Sequence, residues 1–314
     1  MQILVIGLNP AVDVEWRVGS IHWDEKNVVL SERRWAGGKS VNVARWLRHL
    51  GARLKLLVPL GGATGTELRR QLRAEGVPLR AVPLHEATRA NVMVTQEHGP
   101  QLRFNPLGPK LSADEWRAFF HAAGLEMRRS SLVILSGALC RNARATVYRD
   151  LVRLAHRLGV RVVVDCDGPA FAAGVTAKPF LVKPNEFELA QWAGRKLGSD
   201  AAVLRAARDL SRQTGGWVLL SRDARGGLLV NEAARFACCA MVPRVRARNT
   251  VGAGDALLAA AAAEILKGTE PTEWLRNGLA TASAGVQCVA GELASRSAIT
   301  AMRTRVEPGP DDGR

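Results

Sequence analysis

Residues 2–8 form a continuous apolar run, the pattern of a strand buried on both faces. Asn9-Pro10 ends it, because proline brings no N–H to a central ladder. The pattern then changes. Val12, Val14 and Trp16 alternate with Asp13, Glu15 and Arg17, and Val28 and Leu30 alternate again, as in strands with one wet face. Residues 41–50 have the apolar spacing of a helix closed by Gly51, and 54–60 read as another buried strand. Gly61-Gly62 leads into a predicted helix over 64–75 that Gly76 ends. Short strands are predicted at 79–84, 90–96 and 101–105, with Ala90, Val92 and Val94 on one side of the second. From there helices and strands alternate. Helices are predicted over 112–127, where Ser112-x-x-Glu115 makes a capping box, and over 143–158 and 201–213. Strands are predicted at 132–136, 160–165, 180–182 and 217–221. Residues 227–231 and 235–241 read as a hairpin, followed by helices over 254–267, 272–289 and 295–303.

Strands alternating with helices imply a parallel sheet covered on both faces. The early alternating strands do not fit that layer and read as a small second sheet projecting from it. The expected fold class is therefore α/β: one domain over 1–305, with a lid whose strands come from about 11–36 and 79–105. Residues 306–314, rich in glycine, proline and charge, are expected to be a disordered tail.

Composition narrows the class of protein. Of 314 residues, 47% are hydrophobic and 23% charged, ordinary for a globular protein with a substantial core. The start lacks the basic flank of a secretory leader, and the longest apolar run, 256–263, is too short to span a membrane. Five cysteines without C-x-x-C spacing suggest reduced thiols, a cytoplasmic location and no structural metal site. The net charge of +15 raises nucleic acid, a membrane surface or small anions as partners. Yet the arginines are scattered at helical spacing, and one tyrosine and seven phenylalanines leave little for base stacking. An arginine-rich solvated surface is the expected explanation, with neither nucleic acid nor membrane as partner.

Candidate chemistry gathers at strand ends, where open parallel sheets hold ligands. Asn249-Thr250-Val251-Gly252-Ala253-Gly254-Asp255 precedes an alanine-rich helix. Its orphan N–H groups and the helix dipole favour an anion, with Asp255 placed to accept a proton nearby. The plainer alternative is a tight turn with Asp255 as cap. Asn9-Pro10-Ala11-Val12-Asp13 follows the first strand, and Gly37-Gly38-Lys39-Ser40-Val41-Asn42 opens a helix where two glycines allow close backbone approach. Arg89 lies before a lid strand, and its fork suits a phosphate, although a lone arginine is as readily surface. Asn185 and Glu188, three apart on a starting helix, suit Mg²⁺ bound mainly through phosphates, or simply cap the helix. The Ser221–Gly227 turn could border a nucleotide. No G-x-x-x-x-G-K-[ST] or G-x-G-x-x-G motif is present, which removes the P-loop and Rossmann readings.

Taken together and in this order, these stretches resemble the PfkB (ribokinase-like) family of carbohydrate kinases, over about residues 2–290. The branch most similar is that of 1-phosphofructokinase and tagatose-6-phosphate kinase. The resemblance implies a ribokinase-like three-layer α/β/α sandwich with a small β-sheet lid, and ATP and Mg²⁺ as cofactors. It implies transfer of the γ-phosphoryl of ATP to a primary hydroxyl of fructose 1-phosphate, tagatose 6-phosphate or fructose 6-phosphate. Asp255 would be the base, and the N–H groups of Gly252, Ala253 and Gly254 the anion hole. Asp13, Gly37, Gly38 and Asn42 would hold the sugar, and Lys39 and Arg89 the phosphate already on it. Lys183, Asn185, Ser221, Arg222, Gly226, Gly252 and Gly254 would border the nucleotide, with Asn185 and Glu188 orienting the metal. The lid could pair two copies into a homodimer. Alternatives are a kinase for an unphosphorylated sugar or nucleoside, or a silent basic binding protein. Relatives usually have glycine where this chain has Ser40 and Asp223, and glutamate where it has Arg103.

Overall fold

Every side chain of β1 (Ile3–Ile6) is buried. Ile3 and Val5 join one apolar cluster while Leu4 and Ile6 join another, because side chains alternate between the faces of a strand. That division runs through the computed structural model, which describes residues 1–96, 99 and 101–309, and produces three layers. The chain continues through β2 (Ala11–Val18), β3 (Ser31–Gly37), α1 (Lys39–His49), β4 (Leu54–Gly61), α2 (Gly62–Ala74), β5 (Leu79–Leu84), β6 (Arg89–Gln96) and β7 (Leu102–Phe104). The middle comprises α3 (Ala113–Met127), β8 (Leu132–Ser136), α4 (Val147–Arg157), β9 (Arg161–Asp165), α5 (Gly168–Val175), β10 (Leu181–Val182), α6 (Glu186–Ala193) and α7 (Asp200–Thr214). It closes with β11 (Trp217–Ser221), β12 (Gly227–Asn231), β13 (Phe236–Met241), α8 (Ala253–Lys267), α9 (Pro271–Gly285), α10 (Arg296–Arg303) and β14 (Glu307–Pro308).

The large sheet has the order β14-β13-β12-β11-β10-β9-β8-β1-β4-β5. It is parallel from β5 to β11 and antiparallel beyond, so the fold is the expected sandwich with a mainly parallel sheet. Helices α1, α2, α8 and α9 cover one face, and α3 to α7 the other. The alanines of α8 let α9 lie close: a methyl group on Gly278 would meet the Leu257 carbonyl oxygen at 2.9 Å. Strand β1 has β4 on one side and β8 on the other, which makes the crevice beyond its carboxyl end the switch point of the sheet. A second sheet, β3-β2-β6-β7, stands over that crevice.

Several expectations need correction. The 79–84 strand, assigned to the lid, is β5 at the edge of the large sheet, parallel to β4. No strand forms at 28–30: the ladder ends at Arg17 opposite Ser31, and Val28 and Leu30 are exposed. The presumed tail is ordered at its start, since Val306 is buried and β14 pairs with β13. The rest of that prediction, 310–314, lies outside the described residues. Helix α4 begins at Val147 rather than 143, because Asn142 is tied down as a loop by both backbone groups of Leu111. Helix α5 went unpredicted because Gly168-Pro169 reads as a turn, although proline is compatible with a first helical turn.

Candidate active site

The site lies where the sheet switches direction, in a cavity of about 1100 Å³ between the strand ends and the lid. Its most local feature is the start of α8. Gly252 is the N-cap at φ 82, a left-handed conformation that glycine adopts without a Cβ penalty, and no side chain caps the helix there. Of the first-turn N–H groups, that of Ala253 donates a long bond, 3.4 Å, to the Thr250 carbonyl. The ammonium of Lys183 lies beneath this turn, 3.3 Å from where a Gly254 methyl would stand. Asp255, in the first turn, is 5% exposed and accepts a hydrogen bond from Asn42 Nδ2 at 2.8 Å. Burial first, and then the nearby carboxylate of Asp165, push its pKa up to about 6. Asp255 is therefore a better base than an ordinary aspartate, and Gly252, not Asp255, is the helix cap.

Asp165 went unassigned in the sequence. It ends the valine-rich β9 and is fully buried. Its Oδ1 lies 3.2 Å from Lys183 Nζ and 3.6 Å from Lys39 Nζ, and Ser136 donates to Oδ2 at 3.2 Å. Burial alone would raise its pKa, but the ammoniums of Lys183 and then Lys39 outweigh burial and hold it below the usual range. Lys39, raised chiefly by Asp165, also sits 3.7 Å from Glu188 Oε1. The resemblance groups Lys39 with Arg89; both line the cavity, and the Lys39 ammonium stands beside Asp165 and Glu188 on its floor.

On the lid side, the Asp13 carboxylate occupies the space a Gly37 side chain would need, 2.1 Å from an added methyl. Gly37 is thus required for close approach, whereas Gly38 and Asn42 line the cavity itself. Asn91 Nδ2 donates to Asp13 Oδ1 at 2.7 Å. Burial raises the Asp13 pKa, while the bond from Asn91 and the charges of Arg89 and Arg45 pull against it. Arg89 donates to the carbonyls of Pro106 (2.8 Å) and Asn9 (3.1 Å), and its buried Nε has no hydrogen-bond partner among the described residues.

Asn185 and Glu188 form the capping box of α6: each side chain accepts from the other's backbone N–H, at 2.8 and 2.9 Å. Both still line the cavity, and Oε1 of Glu188 faces Lys39. Ser221, bridged to Asn185, lines the same arm with Asp223 and Gly226. Arg222 does not. Its guanidinium turns outward to Glu186 (2.6 Å) and Asp200, which removes it from the expected nucleotide border. Asp223 is left-handed at φ 50, a conformation that explains glycine as the usual choice there. Beyond this turn the arm is walled by Val242, Pro243, Val245, Leu279, Ala282 and Val286, apolar surface suited to a flat ring.

Fixed cations, an uncapped helix start and a buried carboxylate below a lid are parts that a phosphotransferase with an alcohol acceptor needs. The model of the pfkB family carbohydrate kinases matches residues 2–296, and the chain belongs to that family. It is 36% identical over 265 residues to 1-phosphofructokinase of Rhodobacter capsulatus, covering 82% of each chain. To 1-phosphofructokinase of Haemophilus influenzae it is 31% identical over 277 residues, 87% of each. To ATP-dependent 6-phosphofructokinase isozyme 2 of Escherichia coli it is 31% identical over 288 residues, 90% of this chain and 92% of that one. Among solved structures, phosphofructokinase-2 from Escherichia coli in complex with potassium superposes with a TM-score of 0.90 at 29% identity, covering 97% of this chain and 98% of that one.

Proposed function

We propose that this protein is an ATP-dependent ketohexose-phosphate kinase, with fructose 1-phosphate the foremost acceptor. The observation that carries the reading is that cationic side chains line one cavity in two separate places. One is the α8 start with Lys39 and Lys183; the other is Arg89, which lines the cavity beneath the lid. A donor phosphate needs the first, and a phosphate already on the acceptor needs the second. Relatives named 1-phosphofructokinase support the choice of fructose 1-phosphate.

On this reading Asp13, Gly38 and Asn42 orient the sugar, and Arg89 holds its phosphate. Asp255 takes the proton of the primary hydroxyl as the new O–P bond forms and the bond to the departing ADP oxygen breaks. The N–H groups at Gly252–Gly254, with Lys39 and Lys183, receive the charge of the moving phosphoryl group. Lys183, Asn185, Ser221 and Gly226 border the nucleotide. Mg²⁺ fits the donor set in one way. No cluster of three acidic, histidine or cysteine ligands exists among the described residues, so the ion would take phosphate and water as its main ligands, held by Asn185 and Glu188. When bound it would offset phosphate charge. Homodimerisation through the lid is supported by exposed Val28, Leu30 and Phe104 and would appear as a doubled mass in sedimentation.

The test is ATP turnover on fructose 1-phosphate, fructose 6-phosphate, tagatose 6-phosphate, ribose and adenosine. Fructose 1-phosphate should give the highest kcat/KM. Arg89→Ala should raise KM for the phosphorylated acceptor at least about tenfold, the scale of a lost charged hydrogen bond. An unchanged KM would remove Arg89 from the phosphate role, and preference for ribose or adenosine would overturn the acceptor class.

A further inference from the structure

Arg45, on α1, is 7% exposed, an unusual place for a guanidinium. Its fork joins three segments distant in sequence. Nε donates to Glu75 Oε2 at 2.6 Å, at the C-terminal end of α2. Nη2 donates to the Gly291 carbonyl at 2.8 Å, and Nη1 to the Ala36 carbonyl at 3.4 Å. The two carbonyls share a position in the fold. Ala36 is paired with Val12 in the lid ladder and precedes Gly37, against which the Asp13 carboxylate rests. Gly291, at φ 82, presses on the ring of Trp35, where an added methyl would stand 2.7 Å away, and Trp35 is the ladder partner of Asp13. Both carbonyls therefore belong to backbone that fixes where Asp13 stands.

We propose that Arg45 is a positioning residue for the acceptor: it ties the root of the lid to α1 and to the 290–292 loop, holding Asp13 and the Gly37-Gly38 backbone as one fixed edge. The inference rests on the reading that this edge receives the sugar. Guanidinium geometry is essential to it, because a planar fork serves three acceptors in different directions at once, whereas an ammonium on a flexible stem does not. Position, not charge, is what a lysine would lose. Glu75 anchors the third arm of the fork to the end of α2 and supplies stability.

The experiment compares Arg45→Lys and Glu75→Gln with the wild type, using whichever acceptor the wild type phosphorylates best. Steady-state KM for acceptor and for ATP, equilibrium binding of ATP without acceptor, and Tm are measured for each. Arg45→Lys should raise the acceptor KM about tenfold, as expected for two displaced hydrogen bonds at a binding edge, with ATP binding changed less than about twofold. Glu75→Gln should lower Tm and leave both KM values as they were. A parallel rise in both KM values, or a lower Tm with the acceptor KM unchanged in Arg45→Lys, would overturn the positioning role. Failure of the wild type to use any sugar phosphate would instead fault the assigned acceptor class, and Arg45→Lys would still be read on the acceptor found.

Discussion

Two aspartates face the same cavity in similar dress, one on the floor and one on the lid. Asp255 accepts from Asn42 at 2.8 Å, and Asp13 accepts from Asn91 at 2.7 Å. Burial raises the pKa of both. Their next neighbours differ. Asp255 has Asp165 nearby, a second negative charge that adds to the rise, and although Lys39 and Lys183 oppose it the pKa stays near 6. Asp13 has Arg89 and Arg45, whose charges oppose the rise. The same residue type thus has a carboxylate neighbour that adds to the rise in one place and guanidinium neighbours that oppose it in the other. Different surroundings around two acids are one way a site divides its chemistry.

The largest test of that division is Asp255→Asn. On the proposed mechanism kcat falls at least about a hundredfold, the usual scale for a positioned base. In the wild type, kcat/KM should fall as pH drops through about 6, where Asp255 takes up its proton. Stability should move the other way. A carboxyl whose folded pKa lies above its unfolded value binds more protons when folded, so its stabilising contribution is complete below the unfolded pKa and is lost as pH rises through about 6. Asp255→Asn should therefore raise Tm at pH 8, an advantage that fades in acid. Near-normal turnover, or a lower Tm at pH 8, would break the assignment of Asp255 as the strained base.

Asp13→Asn should do something different in kind. The side chain stays close to isosteric, but one acceptor oxygen becomes a donor facing Arg89. The acceptor KM should rise roughly tenfold or more, with kcat lowered far less than in Asp255→Asn. Equal losses of kcat in the two variants, with KM unmoved, would erase the distinction between floor and lid.

How much of this was legible beforehand depends on the range of the interactions involved. The Gly252–Asp255 turn is local: glycines at a helix start and an acid in its first turn are visible in ten residues. So is the sandwich, because continuous apolar strands and amphipathic helices each carry their own period. Strand β5 was misplaced because its half-exposed alternation is shared by lid strands and by the edge of a large sheet. Asn91 could have been placed opposite Val92 by alternation, but its alignment with Asp13 is a register between distant segments. Asp165 was within reach, since it ends a parallel strand by the same rule that drew attention to the 9–13 stretch after β1. Its meaning depends on two lysines brought from α1 and the end of β10. Arg222 shows the converse: adjacency to Ser221 suggested the nucleotide, and Glu186 and Asp200 took the side chain elsewhere.

The finest test removes the two amides that make the aspartates look alike. Each hydrogen bond favours the ionised form, so losing Asn42 should raise the Asp255 pKa further, and losing Asn91 should raise that of Asp13. The consequences should separate. Asn42→Ala should move the acid limb of kcat/KM to higher pH, because the group that titrates there is the proposed base. The phosphate of a sugar phosphate also titrates near pH 6, so the displacement between variant and wild type is the quantity to read, since the substrate's own limb does not move. Asn91→Ala should leave that limb in place and raise the acceptor KM about fivefold, the worth of one ordinary hydrogen bond that orients Asp13. If Asn91→Ala displaced the limb and Asn42→Ala did not, the roles of the two carboxylates would have to be exchanged.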